Sequence, residues 1–378
     1  MRRGAGGDRR GSTSVRSTAA VFWERGRPLE VLDLELEEPG PGEVLVRMAA
    51  VGICGTDLHM VKGEWTRPTP MVLGHEGAGT VETVGDGVEG VRPGERVVLS
   101  WAPSCGECGD CRRGRPAACM ELQRAIAAGT LLDGRTGLSR GGETVYRGTA
   151  TGALADRVVV SEQVALPIGD GVPLEEAALL GCAALTGVGA VLFAAGVEPG
   201  SSVLVVGAGG VGQFVVQGAR IAGASEIVCL DPIEARRDAA ASLGATSVLA
   251  PEEVKAALPE LLPEGVDYAF DAVGDPATTK LAFRWTRNGG LCVIVGLPAA
   301  GARLELDPTE FIRREKRLTG TIYGSEDPAV ALPILLDHVR AGRLDLRSQL
   351  GPTFALDEVN EAVEASLSGV PGRVVVTP

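Results

Sequence analysis

The sequence predicts an α/β protein built from a β-rich part and a doubly wound parallel sheet. Short aliphatic segments broken by glycine and proline fill residues 21–160, as in "GEVLVRMAAVGICG" and "GERVVLS", and this pattern is typical of strands and turns. From Ser201 onward predicted strands and helices alternate, which is the order of a parallel sheet. The composition, with 53 glycines and 4% aromatic residues, suits buried aliphatic strands joined by tight turns.

The elements of the second part follow one another along the chain. "SSVLVVG" predicts a buried strand, and "GVGQFVVQGARIAG" predicts a helix that begins with small residues. "EIVCLD" predicts the next strand, "IEARRDAAASLGA" a helix that ends at Gly244, and "VDYAFDAVG" and "GGLCVIVG" two further strands. After Tyr323 a helix and a last strand, "GRVVVTP", break the alternation. We therefore expect the C-terminal tail to return to the β-rich part.

Charge and composition exclude several classes of partner. The formal net charge is −13, so nucleic acids and anionic membrane surfaces are poor candidates. No apolar run reaches the roughly 20 residues of a transmembrane helix. We expect residues 1–18, rich in Arg, Gly and Ser, to be a disordered tail rather than an export signal. The expected location is the cytoplasm, where thiols stay reduced. In such a compartment we expect the eight cysteines to be metal ligands or free thiols rather than disulfide partners.

A dinucleotide-binding loop is predicted after the strand "VLVV". Gly207, Gly209 and Gly212 follow that strand with G-x-G-x-x-G spacing and open a helix. The first glycine allows a tight turn, the second lets backbone N–H groups approach a pyrophosphate, and the third lets helix and strand pack closely. Asp231 ends the next strand, where a carboxylate binds ribose hydroxyls and repels a 2′-phosphate. The motif therefore predicts NAD rather than NADP.

Cysteines and histidines suggest two metal sites. Four cysteines spaced Cys-x2-Cys-x2-Cys-x7-Cys lie in "CGECGDCRRGRPAAC", between Cys105 and Cys119. Elsewhere Cys54, His75 and Cys182 offer two thiolates and one imidazole, a donor set that favours zinc. By spacing alone the second set is a weak signal, since a single cysteine among apolar neighbours is usually a small buried hydrophobe.

Taken together, the chain resembles the zinc-dependent medium-chain alcohol dehydrogenases. The resemblance extends from about residue 21 to the C-terminus and includes, in the family's order, "GICGTDLH", "GHEGAGTVETVG", the four cysteines, "GCAALTG", "GAGGVG" and "VIVGLP". It implies a GroES-like catalytic domain over residues 19–185, to which 324–378 return, and a Rossmann NAD-binding domain over 186–323. It also implies a homodimer, with a tetramer as the alternative, and a small alcohol or aldehyde as substrate.

The resemblance also implies roles for individual residues. It implies two zinc ions per chain: a catalytic zinc on Cys54, His75 and Cys182, which Glu76 can approach, and a structural zinc on Cys105, Cys108, Cys111 and Cys119. The substrate oxygen would bind the catalytic zinc, and a hydride would pass to NAD. The proton would leave through Thr56, a ribose hydroxyl and His59. Trp101 would form a substrate wall, and the implied cofactor-binding residues, besides the three glycines and Asp231, are Thr186, Gly210, Val211, Arg236, Val273, Val295, Leu297 and Arg373.

Two other functions remain open at this point. A thiol-dependent formaldehyde dehydrogenase would oxidise an adduct of an anionic thiol; Arg135, Arg140 and Arg147 are candidates to bind that anion, although solvated surface charge is the reading that we favour. A non-catalytic zinc- and dinucleotide-binding protein is the second alternative.

One departure from the family is Gly55, where several relatives carry a basic residue on the pyrophosphate, so we expect weaker cofactor binding.

Overall fold

The computed structural model describes residues 14–378, which form three sheets. The first is a six-stranded sheet in the order β8-β7-β2-β1-β4-β9. Its strands are β1 Ser14–Phe22, β2 Glu30–Glu37, β4 Met71–Val72, β7 Leu138–Arg140, β8 Glu143–Thr144 and β9 Tyr146–Arg147.

The N-terminal strand corrects one prediction. Ser14 pairs with Glu37 at the start of the β1–β2 ladder, so residues 14–18 belong to a strand and not to a disordered tail. The ladder explains the difference, because β1 is anchored by its second half, where Ser17 and the run from Ala19 to Phe22 are buried. The rest of the predicted tail, residues 1–13, lies outside the described residues.

The second sheet receives the C-terminal tail, as predicted. Its main path is β11-β6-β5-β3-β19-β18, with β10 also paired to β3. Val375 and Val376 of β19 pair antiparallel with Gly52 and Val51, which brings the end of the chain to the start of the metal-ligand segment. The strands are β3 Glu43–Gly52, β5 Glu76–Val84, β6 Arg96–Leu99, β10 Arg157–Ser161, β11 Ala165–Pro167, β18 Leu350–Ala355 and β19 Arg373–Thr377.

The third sheet is the predicted doubly wound parallel sheet, in the order β14-β13-β12-β15-β16-β17. Val203 and Val205 belong to one apolar cluster, and Leu204 and Val206 belong to another, so both faces of β12 are covered. The strands are β12 Ser202–Val206, β13 Glu226–Leu230, β14 Ser247–Leu249, β15 Val266–Asp271, β16 Thr286–Ile294 and β17 Arg317–Gly320. All lie within 186–323, although the exact domain boundaries stay predictions.

Helices connect the strands and cover the sheets. They are α1 Gly55–Val61, α2 Gly109–Arg112, α3 Met120–Ala128, α4 Leu174–Ala178, α5 Ala183–Gly189, α6 Gly210–Ala222, α7 Glu234–Leu243, α8 Val254–Leu261, α9 Pro276–Trp285, α10 Pro308–Arg313, α11 Pro328–Arg340 and α12 Val359–Ser368. Gly244 caps α7 at φ +120°, as predicted. The N-terminal part is not purely β, because α1, α2 and α3 interrupt its strands.

Among residues 14–378, no single helix has the length and apolar character to cross a bilayer. One pair, Leu174–Gly181 with Ala183–Ala195, meets the length and composition criteria together but is bent by 53°.

Candidate active site

Helix α1 begins at the first predicted metal ligand. The backbone N–H of Cys54 donates to Asp57 Oδ2 at 3.0 Å, so the carboxylate of the third helical residue satisfies a donor that the helix itself leaves free. This short helix explains why the region is not all strand. It presents Thr56 and His59 to a cavity of about 440 Å³.

Cys54, His75 and Cys182 come together although they are far apart in the chain. Their candidate ligand atoms all lie within 4.8 Å of one another, and the two sulfurs are 3.9 Å apart. All three residues are buried, at 7%, 1% and 7% exposure. The hydrogen bond from Cys182 lowers the pKa of the Cys54 thiol, which favours the thiolate that a metal needs. The geometry and donor types therefore fit a zinc ion.

Asp57 is a functional candidate that the sequence analysis missed. Its Oδ1 lies 3.4 Å from His75 Nδ1, which leaves Nε2 as the ring nitrogen for a metal. The same oxygen accepts a hydrogen bond from the Gly74 backbone at 3.0 Å. A carboxylate that orients a metal-ligating histidine is a common feature of zinc sites. A carboxylate three residues after Cys54 was the available signal, but it does not show which histidine it faces.

Glu76 and Arg373 form a buried ion pair beside these ligands. Arg373 Nη2 lies 2.8 Å from Glu76 Oε2, and Arg373 Nε donates to Oε1 at 2.9 Å. Burial raises the pKa of Glu76 to about 7, while the charge of Arg373 acts against this shift. Arg373 Nη1 also donates to the carbonyl of Ile53 at 3.2 Å, directly before Cys54.

Arg373 also lies against the predicted dinucleotide loop. A Cβ added to Gly210 would come within 3.1 Å of Arg373 Cζ. The guanidinium is therefore next to the N-terminus of α6, where a pyrophosphate is predicted, as well as next to Glu76. The sequence analysis predicted that Arg373 lies near the pyrophosphate site, but it did not predict the ion pair with Glu76.

The glycine loop turns sharply between β12 and α6. Gly207 has φ +93°, which favours glycine, and a Cβ on Gly212 would lie 1.8 Å from the Gly207 carbonyl oxygen. A Cβ on Gly209 would meet nothing within 4 Å, so this side of the loop is open. Asp231 lies behind it, where Oδ2 accepts from Ala208 N at 2.8 Å and Oδ1 from Ile233 N at 2.9 Å. An open loop backed by a carboxylate fits a dinucleotide.

The remaining predicted cofactor residues divide into two groups. Arg236 lies 3.9 Å from Asp231 Oδ2, away from the cavity wall. The others line the cavity that also contains the metal ligands. These residues are Thr186, Gly209, Gly210, Val211, Val273, Val295, Leu297 and Arg373.

Family-model matches cover both halves of this arrangement. Residues 40–170 match "Alcohol dehydrogenase GroES-like domain", and residues 210–337 match "Zinc-binding dehydrogenase". Alcohol dehydrogenase 6 of Peromyscus maniculatus is 33% identical over 372 residues, covering 96% of this chain and 98% of that protein. The chain belongs to the zinc-type medium-chain dehydrogenase family. Family membership makes it an oxidoreductase.

Solved structures agree with this family and with the α/β fold. An alcohol dehydrogenase zinc-binding domain protein from Burkholderia ambifaria has a TM-score of 0.92 at 33% identity, covering 97% of this chain and 99% of the other. Benzyl alcohol dehydrogenase from Acinetobacter calcoaceticus has a TM-score of 0.91 at 31% identity, covering 96% and 99%. A chain from Sinorhizobium meliloti 1021, solved bound to NADP, has a TM-score of 0.80 at 28% identity, covering 96% and 100%.

The structure brings the four cysteines of this dehydrogenase together, with their sulfurs within 4.8 Å of one another. Their Sγ–Sγ distances include 3.5 Å for Cys108–Cys111, 3.9 Å for Cys105–Cys111 and 4.0 Å for Cys108–Cys119. Four sulfurs about 2.3 Å from a central zinc would lie about 3.8 Å apart in a tetrahedron. Backbone N–H groups of Cys111 and Met120 lower the pKa of Cys108 to about 6. The lobe therefore fits a closed metal site.

Trp101 lines the cavity that also contains the metal ligands. Its ring lies edge-on to the His75 ring at 6.4 Å and tilted against Tyr323 at 4.8 Å. Tyr323, which the sequence analysis did not single out, donates from its hydroxyl to the Gly181 carbonyl at 2.5 Å. Gly181 is the residue before Cys182. The hydrogen bond therefore holds the backbone next to this cysteine against the chain that follows the third sheet.

His59 has partners that the sequence analysis also missed. Its Nδ1 pairs with the Glu64 carboxylate, and its ring stacks on Trp65 with centroids 4.5 Å apart and planes 15° apart. Thr56, at the start of the same helix, is half-buried and lines the same cavity. Glu64 and Trp65 lie in the loop after α1, and the sequence of this loop has no pattern that would have marked them as partners of His59.

The arginines considered for an anionic thiol carrier are engaged elsewhere. Arg147 is 1% exposed and donates to the carbonyls of Thr151 and Val159 at 2.9 and 3.0 Å, so the expectation of solvated charge is wrong for it. Arg135 binds three carboxylates, at 2.6–2.7 Å. Arg140 lines a separate cavity of about 240 Å³. None of the three lines the cavity that contains the metal ligands.

Proposed function

We propose that this chain is a zinc- and NAD-dependent alcohol dehydrogenase that interconverts an alcohol and its aldehyde or ketone. One observation carries the proposal: Cys54, His75 and Cys182 line the same cavity as the loop residues Gly209 and Gly210. A metal on the first set and a dinucleotide on the second would face the same small-molecule space. Bound zinc would supply a Lewis acid for the substrate oxygen, and NAD would supply the hydride acceptor.

The chain's own residues would orient the reactants and move the proton. Cys54, His75 and Cys182 would hold the zinc with three protein ligands, the number typical of catalytic sites that also bind a substrate oxygen. Thr56 Oγ1 would accept the proton of the substrate hydroxyl while donating its own to a ribose hydroxyl of the cofactor, which would pass a proton on to His59 for release to solvent. Trp101 and Tyr323 would hold the apolar part of the substrate away from water.

Two features support the proposed cofactors. Asp231 lies behind the glycine loop and would repel a 2′-phosphate, which favours NAD although one structural neighbour was solved with NADP. The sulfur tetrahedron of Cys105, Cys108, Cys111 and Cys119 supports a second, structural zinc without an open position. The thiol-dependent alternative loses the arginines on which it depended.

The decisive experiment measures NADH absorbance when alcohols are added to zinc-loaded protein and NAD. The panel contains primary, secondary and aromatic alcohols, and formaldehyde with a low-molecular-weight thiol as a separate arm. Turnover of an alcohol without thiol, lost in Cys182→Ser, supports the proposal. No NAD reduction in any arm contradicts it and favours a non-catalytic binding protein, while a response in the thiol arm alone favours the thiol-dependent enzyme. Parallel titrations with NADP test the role of Asp231.

We also propose that the protein is a homodimer joined through its parallel sheets. Strand β17 ends the third sheet, and its residues are exposed or half-buried. An edge strand with free backbone groups can pair with a second copy. Sedimentation of the purified protein tests this, and a monomer at micromolar concentration would contradict it. The cytoplasmic location stays a prediction.

A further inference from the structure

The imidazole of His59 is held by two residues that follow α1. A carboxylate is an acceptor, so His59 Nδ1–H donates to Glu64. A neutral imidazole carries one N–H, so this bond leaves Nε2 with a free lone pair. The side chains of His59 and Glu64 are 20% and 34% exposed, so the pair lies between the cavity that His59 lines and solvent.

Trp65 connects this pair to the opposite side of the cavity. Its ring stacks on His59, and its Nε1–H donates to the Pro298 carbonyl at 3.2 Å. Pro298 directly follows Leu297, which lines the cavity together with Val295 on the cofactor side. The indole therefore contacts both His59 and the segment that would lie against the nicotinamide.

We propose that Glu64 is a positioning residue for His59 and that Trp65 ties this positioning to the cofactor-side segment. Glu64 fixes the Nδ1–H tautomer, so Nε2 is the atom that takes up the proton released in alcohol oxidation. Trp65 limits the ring's rotation and aligns it with residues 295–298. The inference rests on the proposed function, since it assigns a task within that reaction.

A structural role for Glu64 makes a different prediction. A residue that only stabilises the loop would lower melting temperature or zinc content, and its removal would reduce activity whether or not His59 is present. A residue that acts through His59 loses its effect when His59 is replaced, because the two changes then remove the same interaction. A double-mutant cycle separates these cases.

The cycle uses Glu64→Ala, His59→Gln and the double variant, all zinc-loaded, with kcat and KM measured for an alcohol and for NAD. Glu64→Gln keeps the side-chain size but allows either tautomer, because its amide can donate as well as accept. Trp65→Phe keeps the stack and removes the bond to Pro298. The matched control is Glu30→Gln, since Glu30, like Glu64, pairs with the ring nitrogen of an aromatic side chain, here accepting from Trp23 Nε1–H at 3.1 Å.

We expect Glu64→Ala to lower kcat by about ten- to hundredfold with the alcohol KM and zinc content unchanged. Glu64→Gln should lose less, and Glu64→Ala should add less than about twofold in the His59→Gln background. Trp65→Phe should raise the KM for NAD about two- to tenfold, because it removes the one hydrogen bond between the indole and the Pro298 carbonyl. Glu30→Gln should match the wild type.

Three results would overturn the inference. The first is that Glu64→Ala lowers kcat as much in the His59→Gln background as in the wild type. The second is that the loss of kcat in Glu64→Ala follows a loss of zinc. The third is that Trp65→Phe leaves the KM for NAD unchanged. Each leaves the proposed function standing as long as the wild type oxidises alcohols with NAD. If the wild type does not, the proposed function fails first and this inference falls with it.

Discussion

Arg373 and Glu76 lie 297 positions apart in the chain and form a buried ion pair next to the metal-ligand cluster, with a hydrogen bond from Nε to Oε1 and a contact of 2.8 Å between Nη2 and Oε2. The pair joins the last strand, β19, to the first residue of β5. A Cβ on Gly52 would lie 2.8 Å from Glu76 Oε1 and 3.2 Å from Arg373 Cγ, so a glycine at this position makes room for the pair. Removal of the ion pair between Arg373 and Glu76 provides the first prediction.

Replacing one partner of this pair should destabilise the protein strongly. Arg373→Ala leaves Glu76 buried without its counter-charge, and we expect the free energy of unfolding to fall by about 3–5 kcal/mol. Arg373→Met combined with Glu76→Leu removes both charges and should recover part of this loss. Urea unfolding of zinc-loaded protein measures both variants. A change below about 1 kcal/mol for Arg373→Ala would show that the pair contributes little.

Asp57→Asn should weaken zinc binding at the proposed catalytic site. The amide has one acceptor oxygen, so it keeps only one of the two backbone bonds, from Cys54 N–H or from Gly74 N–H, and it loses the charge that faces His75. Removing such a partner typically costs about 10–100-fold in metal affinity. Chelator competition at neutral pH measures the affinity, with the four-cysteine site as an internal control that should not change. Equal affinities for variant and wild type would remove Asp57 from the metal site.

The two cysteine clusters should respond differently to mutation. Cys182→Ser should release one zinc and abolish alcohol oxidation while the four-cysteine lobe stays intact. Cys111→Ser should release the other zinc and loosen the loop between Cys105 and Cys119, because binding at a closed site contributes directly to folding. Metal analysis and limited proteolysis distinguish the two. If Cys111→Ser loses zinc without faster cleavage in this loop, the structural role is wrong.

Gly55→Arg should tighten NAD binding. Gly55 is exposed, lines the cavity, and its Cβ would meet nothing within 4 Å, so a basic side chain fits without displacing neighbours. A charge that reaches the pyrophosphate should lower the Kd for NAD by about tenfold and slow cofactor release. Titration of protein fluorescence gives the Kd, and Gly55→Gln serves as the uncharged control. Equal effects of both variants would exclude the charge as the cause.

His59→Gln tests the proposed proton exit. Glutamine cannot take up the proton, so turnover should fall about tenfold or more at neutral pH. It should recover partly at high pH, where hydroxide can remove the proton instead. Rates of NADH formation across pH, compared with wild type under the same conditions, show this recovery. Identical profiles for the two proteins would remove His59 from the reaction.

Several errors and omissions have one physical origin. Arg147 is in a glycine-rich, polar segment that suggests surface charge, yet its guanidinium is buried among carbonyls of separate segments. Asp57, Glu64 and Tyr323 have partners that depend on how a helix, a loop and a strand end pack together. No local pattern specifies those partners. A tail pairing such as Ser14 with Glu37 likewise depends on a second strand being in place.

The sequence by itself determined what depends on near neighbours: the glycine loop between β12 and α6, the four-cysteine lobe, and the alternating order of the third sheet. These features need only short-range sterics, since a few adjacent residues set each turn, helix start or ligand spacing. Spacing along the chain left open whether Cys54 and Cys182, 128 positions apart, meet at His75, which only the resemblance implied, and gave no sign that Arg373 binds Glu76. The tertiary structure decided both. Such contacts arise because sheets and helices pack only when their apolar faces are buried together, and spacing along a chain does not encode that arrangement.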